Sequence, residues 1–365
     1  MLMYVRPFIV VGTRPEIIKM APVVHECESR GIDTFLLHTG QHYSESMSSS
    51  IFSDMALREP DKNLDIGSGS HAEQTAKALI GIEKEILYEK PDIVIVQGDT
   101  NAVLSASLAA VKLRVPLAHV EAGLRSYDSR MPEEHNRRLT DHAADLLFAP
   151  TEKSAQILRN ENVRGKVFVT GNTVIDALES RLPAALQRPD AIKGFGKKGF
   201  ALLTLHRSEN VDDRETLKGL VEGIVSLNIE VLFCAHPRTV KRLEDFDLMN
   251  KIKASSSLVR IVEPPSYLDF LQLMHRCDFV MTDSGGIQEE VTAPSINKRV
   301  FVLRISTERP EAVESGHATV VGVDSTEFPK TILKEVGYGL EGIRDCPFGK
   351  GDASKAIVDI LLDKA

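Results

Sequence analysis

The stretch CDFVMTDSGGIQEE, residues 277–290, decides how the rest of the chain is read. Phe279-Val280-Met281 is a short apolar run with the character of a buried strand. Thr282-Asp283-Ser284-Gly285-Gly286 is turn chemistry, and Ile287 to Val291 opens a helix. A strand that ends in a glycine turn and runs into a helix N-terminus makes an anion site, because free backbone N–H groups and the positive end of the helix dipole converge on one spot. Glycines let a phosphate approach the backbone closely. Glu289 and Glu290 follow in the first helical turns, and a carboxylate beyond a diphosphate suits a ribose diol. The plainer alternative is a loop capped by Asp283 or Ser284, with two glutamates favouring the dipole.

Outward from that stretch, strand and helix alternate through both halves of the chain. Phe8–Val11 is a strand, Gly12-Thr13-Arg14 its turn, and Pro15 takes the first helical position, which proline favours. Ile17, Ile18, Met20, Ala21, Val23 and Val24 recur at about helical period. Arg14 and Lys19 lie at and just inside that helix start, where cations oppose the dipole; an anionic ligand would explain them, and two solvated charges are the alternative. Thr34–His38 is a second strand and Ala72–Lys90 a long helix. Ile93-Val94-Ile95-Val96 is an unbroken β-branched run, the mark of a parallel strand buried on both faces, and it ends in Gln97-Gly98-Asp99-Thr100. After a helix over Ala102–Leu113, the strand Pro116–Val120 ends in Glu121-Ala122-Gly123. Strands at Leu146–Pro150 and Val167–Val169 complete this half. Asp99 and Glu121 therefore stand at strand C-terminal ends, the edge outside which open parallel sheets bind ligands. A third acidic spot, Glu133-Glu134, precedes Arg137 and Arg138 by four residues, and two exposed i,i+4 pairs would account for it without any function.

Residues 171–199, with Pro183, Pro189, Gly194, Gly196 and Gly199, read as a helix followed by an interdomain connection. Gly194–Gly199 fits G-x-G-x-x-G letter by letter. It precedes the strand Phe200–Leu205, whereas a dinucleotide fingerprint must follow a strand and open a helix, so it is a glycine-rich lead-in. Strands at Ala201–Leu205, Val231–Cys234, Val259–Val262, Phe279–Met281 and Val300–Leu303 then alternate with helices near Arg214–Ser226, Tyr267–Arg276 and Gly286–Ala293. His206, Arg207, His236 and Arg309 follow such strands. A lone histidine after a strand is more often structural, but four polar groups on one predicted edge favour a site. A last helix begins near Asp352.

The bulk composition sets bounds on function. A chain of 365 residues suggests two domains more than one, and 42% hydrophobic with 26% charged residues is ordinary for a soluble protein with sizeable cores. The net charge of −8 argues against a general nucleic-acid or membrane-surface role. No apolar run approaches the roughly 18 residues that suggest a membrane span. Phe8–Val11 is too short for a signal peptide and runs straight into Gly-Thr-Arg-Pro-Glu. Cys27, Cys234, Cys277 and Cys346 are scattered with no C-x-x-C, which fits reduced thiols in a cytoplasmic protein and argues against a disulfide frame or a zinc site.

These motifs together resemble the non-hydrolysing UDP-N-acetylglucosamine 2-epimerases over nearly the whole chain. The resemblance is carried by GTRPEIIKMAPVV at 12–24, QGDTNAVL at 97–104, HVEAGLRS at 119–126, PEEHNRRLTDH at 132–142, TGNTVIDAL at 170–178, LHRSEN at 205–210, DSGGIQEE at 283–290 and TERPEAVESG at 307–316. It implies an α/β protein of GT-B architecture, with two Rossmann-like domains whose parallel sheets face a central cleft. The expected domains are residues 1–172 plus 352–365, carrying the acid/base residues, and 173–351, binding UDP. By motif position, Asp99, Glu121, Glu133 and His206 form the implied catalytic set. Arg14, Lys19, His236, Phe270, Ser284, Gly285, Gly286, Glu290 and Arg309 would bind the nucleotide sugar, with the ribose on Glu290. Pro265 stands where the family places a polar residue near the uracil, so that contact would pass to backbone. Gln41, His42 and Arg207 match part of a regulatory substrate site of bacterial members, while Ser68–His71 lacks the glutamine-rich pattern that goes with it. The resemblance also implies a homodimer.

The implied reaction is reversible inversion at C2 of UDP-N-acetylglucosamine, giving UDP-N-acetylmannosamine. The C2 proton is not next to a carbonyl, and oxidation by a nicotinamide would need a fingerprint that is absent from the right context. The remaining route loosens the C1–O bond to UDP, which acidifies C2–H; elimination gives a 2-acetamidoglucal and UDP, and re-addition from the other face completes the inversion. Two acid/base groups are then required, and Asp99, Glu121 and Glu133 supply candidates. His206 would serve the leaving phosphate oxygen. Arginine, lysine and helix dipoles can neutralise the charge, so neither metal nor cofactor is required. Three alternatives are a hydrolysing epimerase releasing UDP and N-acetylmannosamine, a GT-B glycosyltransferase, and a nucleotide-sugar sensor without turnover.

Overall fold

The computed structural model describes residues 5–40, 45–255, 258–337, 339 and 341–364. The chain forms two compact units, Met1–Ser180 with Phe348–Ala365, and Arg181–Pro347.

In the first unit the order is β1 (Pro7–Val11), α1 (Arg14–Ser29), β2 (Phe35–His38), α2 (Glu45–Asp54), β3 (Lys62–Asn63), α3 (His71–Glu89), β4 (Ile93–Gln97), α4 (Asn101–Leu113), β5 (Leu117–Val120), α5 (Pro132–Ala143), β6 (Leu146–Ala149), α6 (Glu152–Asn160), β7 (Lys166–Val169) and α7 (Thr173–Leu186). The strands make one seven-stranded sheet in the order β3-β2-β1-β4-β5-β6-β7, and every pairing is parallel. β1, β2, β4, β5 and β6 are buried along their length, as the β-branched run at 93–96 requires of a strand covered on both faces. Val94 and Val96 pack with Phe8, Val10, Ile82, Ile86, Val103 and Leu117 in one core.

The second unit continues with β8 (Ala201–Thr204), α8 (Ser208–Val211), α9 (Arg214–Ser226), β9 (Val231–Cys234), α10 (Pro237–Asp245), α11 (Met249–Ala254), β10 (Val259–Val262), α12 (Tyr267–Arg276), β11 (Phe279–Thr282), α13 (Gly285–Glu290), β12 (Val300–Val302), α14 (Pro310–Glu314), β13 (Ala318–Val320) and α15 (Phe328–Val336). Its six-stranded sheet runs β10-β9-β8-β11-β12-β13, again all parallel. Leu203, Phe233, Met281, Phe301, Leu220 and Phe328 belong to its core. Two Rossmann-like units in one chain are the composition of the GT-B architecture.

The strand order in both sheets reverses at one place, between β1 and β4 and between β8 and β11. Loops leaving neighbouring strands diverge there to opposite faces and leave a crevice at the strand C-termini. The turns after these four strands are Gly12-Thr13, Gly98-Asp99, His206-Arg207 and Asp283-Ser284.

The chain passes from one unit to the other inside α7, and the last helix, α16 (Ala353–Lys364), returns to the first unit, where it packs with α1. The structural division falls at Ser180/Arg181 and Pro347/Phe348, beside the 172/173 and 351/352 divisions drawn from the motifs. Asp176 explains why the first turns of α7 stay with the first unit: its buried carboxylate accepts the N–H of Ser354 at 2.7 Å, the N–H of Ala353 at 3.3 Å and the hydroxyl of Ser354 at 2.6 Å, capping α16. The strands β3 and β13 and the short helices α2, α6, α8, α10, α11, α14 and α15 lie outside the sequence-based assignment. β3 is two exposed residues, β13 is three residues long, and α10 is nine residues that bury Thr239 and Leu243, so none fills a window long enough for a period to be read.

Candidate active site

Around the first unit's switch point, Thr13 caps α1, and Pro15 takes an early helical position as its sequence context predicts. Glu16 reaches back to accept from the N–H of Gly12 and, at 3.0 Å, from that of Thr13, and it also accepts the hydroxyl of Thr100. One buried carboxyl thus joins the turn after β1 to the turn after β4. Burial, with a smaller push from the neighbouring charge of Asp99, raises it to about 7 against those three hydrogen bonds. A side chain at Gly12 would come within 2.7 Å of Thr39 Oγ1 and 2.8 Å of the Ala102 Cβ, which explains the glycine. Asp99 follows Gly98, whose φ is +85°, and is partly open to solvent. Its carboxylate pairs with the guanidinium of Arg137, and its carbonyl accepts from Asn136 at 2.9 Å.

Glu121 stands at the end of β5 with φ +66°, a left-handed backbone that is uncommon for glutamate and marks a site held by its surroundings. It is 8% exposed. Lys19 Nζ donates to both its oxygens, at 2.6 and 2.7 Å; Gln97 donates as well, and Asn172 Nδ2 lies at 3.4 Å. Lys19 is therefore the partner of a candidate acid in this unit, where the motif reading gave it to the nucleotide. Glu133 is half-buried on the first turn of α5, and next to it Glu134 is buried, accepting from Ser126 at 2.8 and 2.9 Å and from Arg137 at 3.1 Å. Arg138 goes to Glu161 at 3.1 Å. The two simple i,i+4 Glu–Arg pairs weighed from spacing are replaced by a network that holds Asp99. Arg14 is half-buried beside Thr13.

In the second unit the corresponding edge is cationic. Asp283 is fully buried and accepts from the N–H groups of His206, at 3.1 Å, and Arg207, at 3.0 Å, and from Asn210 Nδ2 at 3.1 Å. Its Oδ1 also lies 3.1 Å from His206 Nδ1. Burial alone would raise this carboxyl; the His206 bond and charge, with the two backbone donors, outweigh burial and hold it below the usual range. His206 is thereby oriented by a carboxylate, its ring 44% exposed at the edge. His236 is the exposed N-cap of α10, and burial, with the charges of His206 and Arg238, lowers its pKa. His206 and His236 therefore share this edge.

Arg309 Nη2 and Arg207 Nη2 lie 3.7 and 3.9 Å from where a side chain at Gly285 would begin. Arg309 pairs with the fully buried Glu289. The charges of Arg207, Arg304 and Arg309 bear on Glu308, and together they hold its carboxyl low against burial. Arg207 Nε and Arg304 Nη1 are buried donors with no hydrogen-bond partner. The turn Ser284-Gly285-Gly286 at the start of α13 is thus flanked by guanidinium groups, an arrangement suited to a diphosphate. Glu290, half-buried, stands one residue beyond Glu289. Phe270 is half-buried on α12, and Pro265 precedes that helix.

Within the first unit, then, the structure places Asp99, Glu121, Glu133, Arg14 and Lys19 on loops and helix starts at one sheet edge. Within the second it places His206, His236, Ser284, Gly285, Gly286, Glu290 and Arg309 at the matching edge, with Phe270 on α12. Gln41 and His42 lie outside the described residues. Sequence reading passed over Glu16, Asp283 as an anchor, Arg304 and Glu308, and weighed Arg137 only as an exposed i,i+4 partner rather than as the partner of Asp99. The clue for Glu16 was its place three residues after a Thr cap, a capping-box spacing. Among the described residues no group of three His, Cys, Asp or Glu side chains has the geometry to hold a metal ion, and no helix is long and apolar enough to cross a membrane.

A family model described as UDP-N-acetylglucosamine 2-epimerase matches residues 25–362. The UDP-N-acetylglucosamine 2-epimerase of Methanocaldococcus jannaschii is 46% identical over 363 residues, covering 97% of this chain and 98% of its own. The crystal structure of the M. jannaschii UDP-GlcNAc 2-epimerase in complex with UDP-GlcNAc and UDP matches with a TM-score of 0.85 at 45% identity, covering 98% of this chain and 99% of that one. The Neisseria meningitidis UDP-GlcNAc 2-epimerase bound to UDP-GlcNAc also gives 0.85, at 35% identity, covering 98% of this chain and all of that one.

Proposed function

Because the chain belongs to the UDP-N-acetylglucosamine 2-epimerase family, we propose that it interconverts UDP-N-acetylglucosamine and UDP-N-acetylmannosamine without net hydrolysis, by elimination of UDP and re-addition. The observation that carries this is the placing of Asp99 and Glu121 at the ends of the paired strands β4 and β5, each tied to its own cation. A sensor has no use for two anchored acids, and a glycosyltransferase does not need to move a proton at C2.

Guanidinium groups and backbone N–H groups at Ser284–Gly286 hold the diphosphate and stabilise the charge that builds as the C1–O bond loosens. Arg309 and Arg207 flank that turn, Glu290 takes the ribose, and Phe270 lies by the uracil. His206, oriented by Asp283, donates to the departing phosphate oxygen. One acid of the Asp99, Glu121 and Glu133 set removes the C2 proton; another returns one from the opposite face when UDP adds back. Arg14 adds positive charge for the phosphates. Lys19 serves through Glu121, keeping its carboxylate in place. The chain works in the cytoplasm, as a homodimer, and feeds polysaccharide biosynthesis.

Incubation with UDP-N-acetylglucosamine in D₂O, followed by NMR, tests the mechanism. Deuterium at C2 of both epimers, with UDP-sugar conserved, is the expected result. Free N-acetylmannosamine and UDP accumulating in equal amounts would make the enzyme a hydrolysing one. Turnover without deuterium at C2 would remove the elimination route.

A further inference from the structure

Asp99 and Glu121 leave neighbouring strands, and one buried carboxylate reaches the backbone behind both. Asp141, on α5, is fully shielded from solvent. Its Oδ1 lies 2.7 Å from Nδ1 of His119 on β5. At 2.8 Å, Nε2 of the same ring donates to the carbonyl of Gly98, the residue before Asp99. The other oxygen of Asp141 accepts the N–H of Gly123, two residues after Glu121, at 3.3 Å, and Arg125 Nη1 at 2.7 Å. Arg125 then runs outward to Glu161, at 2.6 and 3.0 Å.

These are the places where the backbone most needs holding. Glu121 has φ +66°, a left-handed conformation that in a non-glycine residue persists only where surrounding contacts over-determine it, and it lies between Gly98 and Gly123, whose φ of +85° and +86° glycine adopts freely and which therefore leave both loops free to move unless hydrogen bonds hold them. His119 and Asp141 are 1% and 0% exposed, so neither can meet a substrate. Whatever they do for the reaction passes through the two loops. A network serving stability alone would not need to end on the residue before one acid and the second residue after another.

We propose that Asp141 and His119 are positioning residues, which fix the loops of Asp99 and Glu121 in one mutual geometry through the Gly98 carbonyl and the Gly123 amide. The proposal rests on the epimerase reading above. Two acids that must act on opposite faces of one carbon need a fixed separation, and a shift of about 1 Å can cost on the order of 100-fold in rate.

The test uses the full chain as wild type, Asp141→Asn, His119→Gln and Glu161→Gln. Glutamine at 119 can donate to the Gly98 carbonyl or reach Asp141, not both. Glu161→Gln weakens the far end of the same network and serves as the stability control. Asp141→Asn and His119→Gln are expected to lower kcat about 10- to 100-fold with KM and UDP affinity within about twofold. They should also change the ratio of C2 deuterium in recovered substrate to that in product, which a loss of folded enzyme cannot do. Glu161→Gln should lower Tm and leave kcat in place. Should Asp141→Asn fail to fold, His119→Gln interrupts the same relay between Asp141 and Gly98 and decides the matter. Unchanged kcat and deuterium ratio in both variants, or kcat loss that follows Tm through all three, overturns the positioning role while leaving the epimerase reading intact. A wild type with no epimerase activity overturns that reading and this proposal with it.

Discussion

Glu16 shows how one residue can carry both a stability and a functional signature. It is 2% exposed, and its carboxyl is raised to about 7 from a reference of 4.5. A raised folded pKa means that the native state binds the proton more tightly than the unfolded chain does. Stability is therefore full below about 4.5 and is lost as pH rises through about 7, by roughly 3 kcal/mol at most. Glutamine reproduces the protonated form: its oxygen can accept from Gly12 and Thr13, and its amide can donate to Thr100. Glu16→Gln should therefore flatten the fall in Tm between pH 5 and pH 8 and melt no lower than wild type at pH 8. An unchanged slope would place the titration elsewhere. Asp99 carries a prediction of its own. Asp99→Asn removes an acid/base group and should cost about 100-fold or more in kcat, with UDP affinity unchanged in calorimetry because the guanidinium-flanked turn belongs to the other unit. Normal turnover would exclude Asp99 from the acid set. At this scale Asp99 and Glu121 were legible as carboxylates at strand ends, but their partners were not. Arg137 is 38 positions from Asp99 and Lys19 is 102 from Glu121, and no local pattern links residues so far apart.

Among the elements, long apolar strands such as β4 and β11 were readable because burial on both faces leaves an unbroken hydrophobic run. β3 and β13 were not, since two or three residues at a sheet margin carry no period. The C-terminal helix was placed near its true start, but the device that fixes it was hidden. Asp176 caps α16 from 177 positions away, while Ile357 and Val358 are fully buried and Arg30, the C-cap of α1, reaches Asp359 at 2.6 Å. Removing a capping carboxylate costs about 1–2 kcal/mol. Asp176→Ala should accordingly lower Tm by several degrees without altering UDP affinity, measured by thermal denaturation beside titration calorimetry. A wild-type Tm would mean that packing alone holds the helix. Gly123 shows a tighter constraint. With φ +86° and a would-be side chain 2.4 Å from the Ser154 carbonyl oxygen, the loop after β5 accepts glycine alone.

At the scale of the whole molecule, the two sheets repeat one strand order and so present two switch-point edges with different chemistry, acids at one and guanidinium groups at the other. Composition could not show this, because the net charge of −8 averages over both. Another whole-molecule property appears on α3 and α4. Ala78, Ile82 and Ile86 turn α3 toward the core, yet Ile80, Leu87 and Tyr88 remain 68%, 57% and 79% exposed on the same helix. On α4, Leu108 and Val111 are 37% and 43% exposed. These side chains stand among the exposed charges of Lys77, Glu83 and Lys84, the mixture of a contact surface, and they are where the proposed homodimer would meet. A second copy of the chain, meeting the first through this face, would bury about 1,200–2,000 Å² if it forms a stable interface. Sedimentation equilibrium should then give twice the chain mass for wild type and the single mass for Ile80→Glu with Tyr88→Glu, since charge placed on both copies of a self-complementary patch opposes itself. A monomeric wild type, or a double variant that stays dimeric, would remove α3 as the interface. UDP affinity in the monomeric variant is expected to be unchanged, because Arg207, Arg309 and the Ser284–Gly286 turn lie in the unit that does not contain α3. Any fall in activity on dissociation should therefore appear in kcat, through α4, whose cap Thr100 directly follows Asp99.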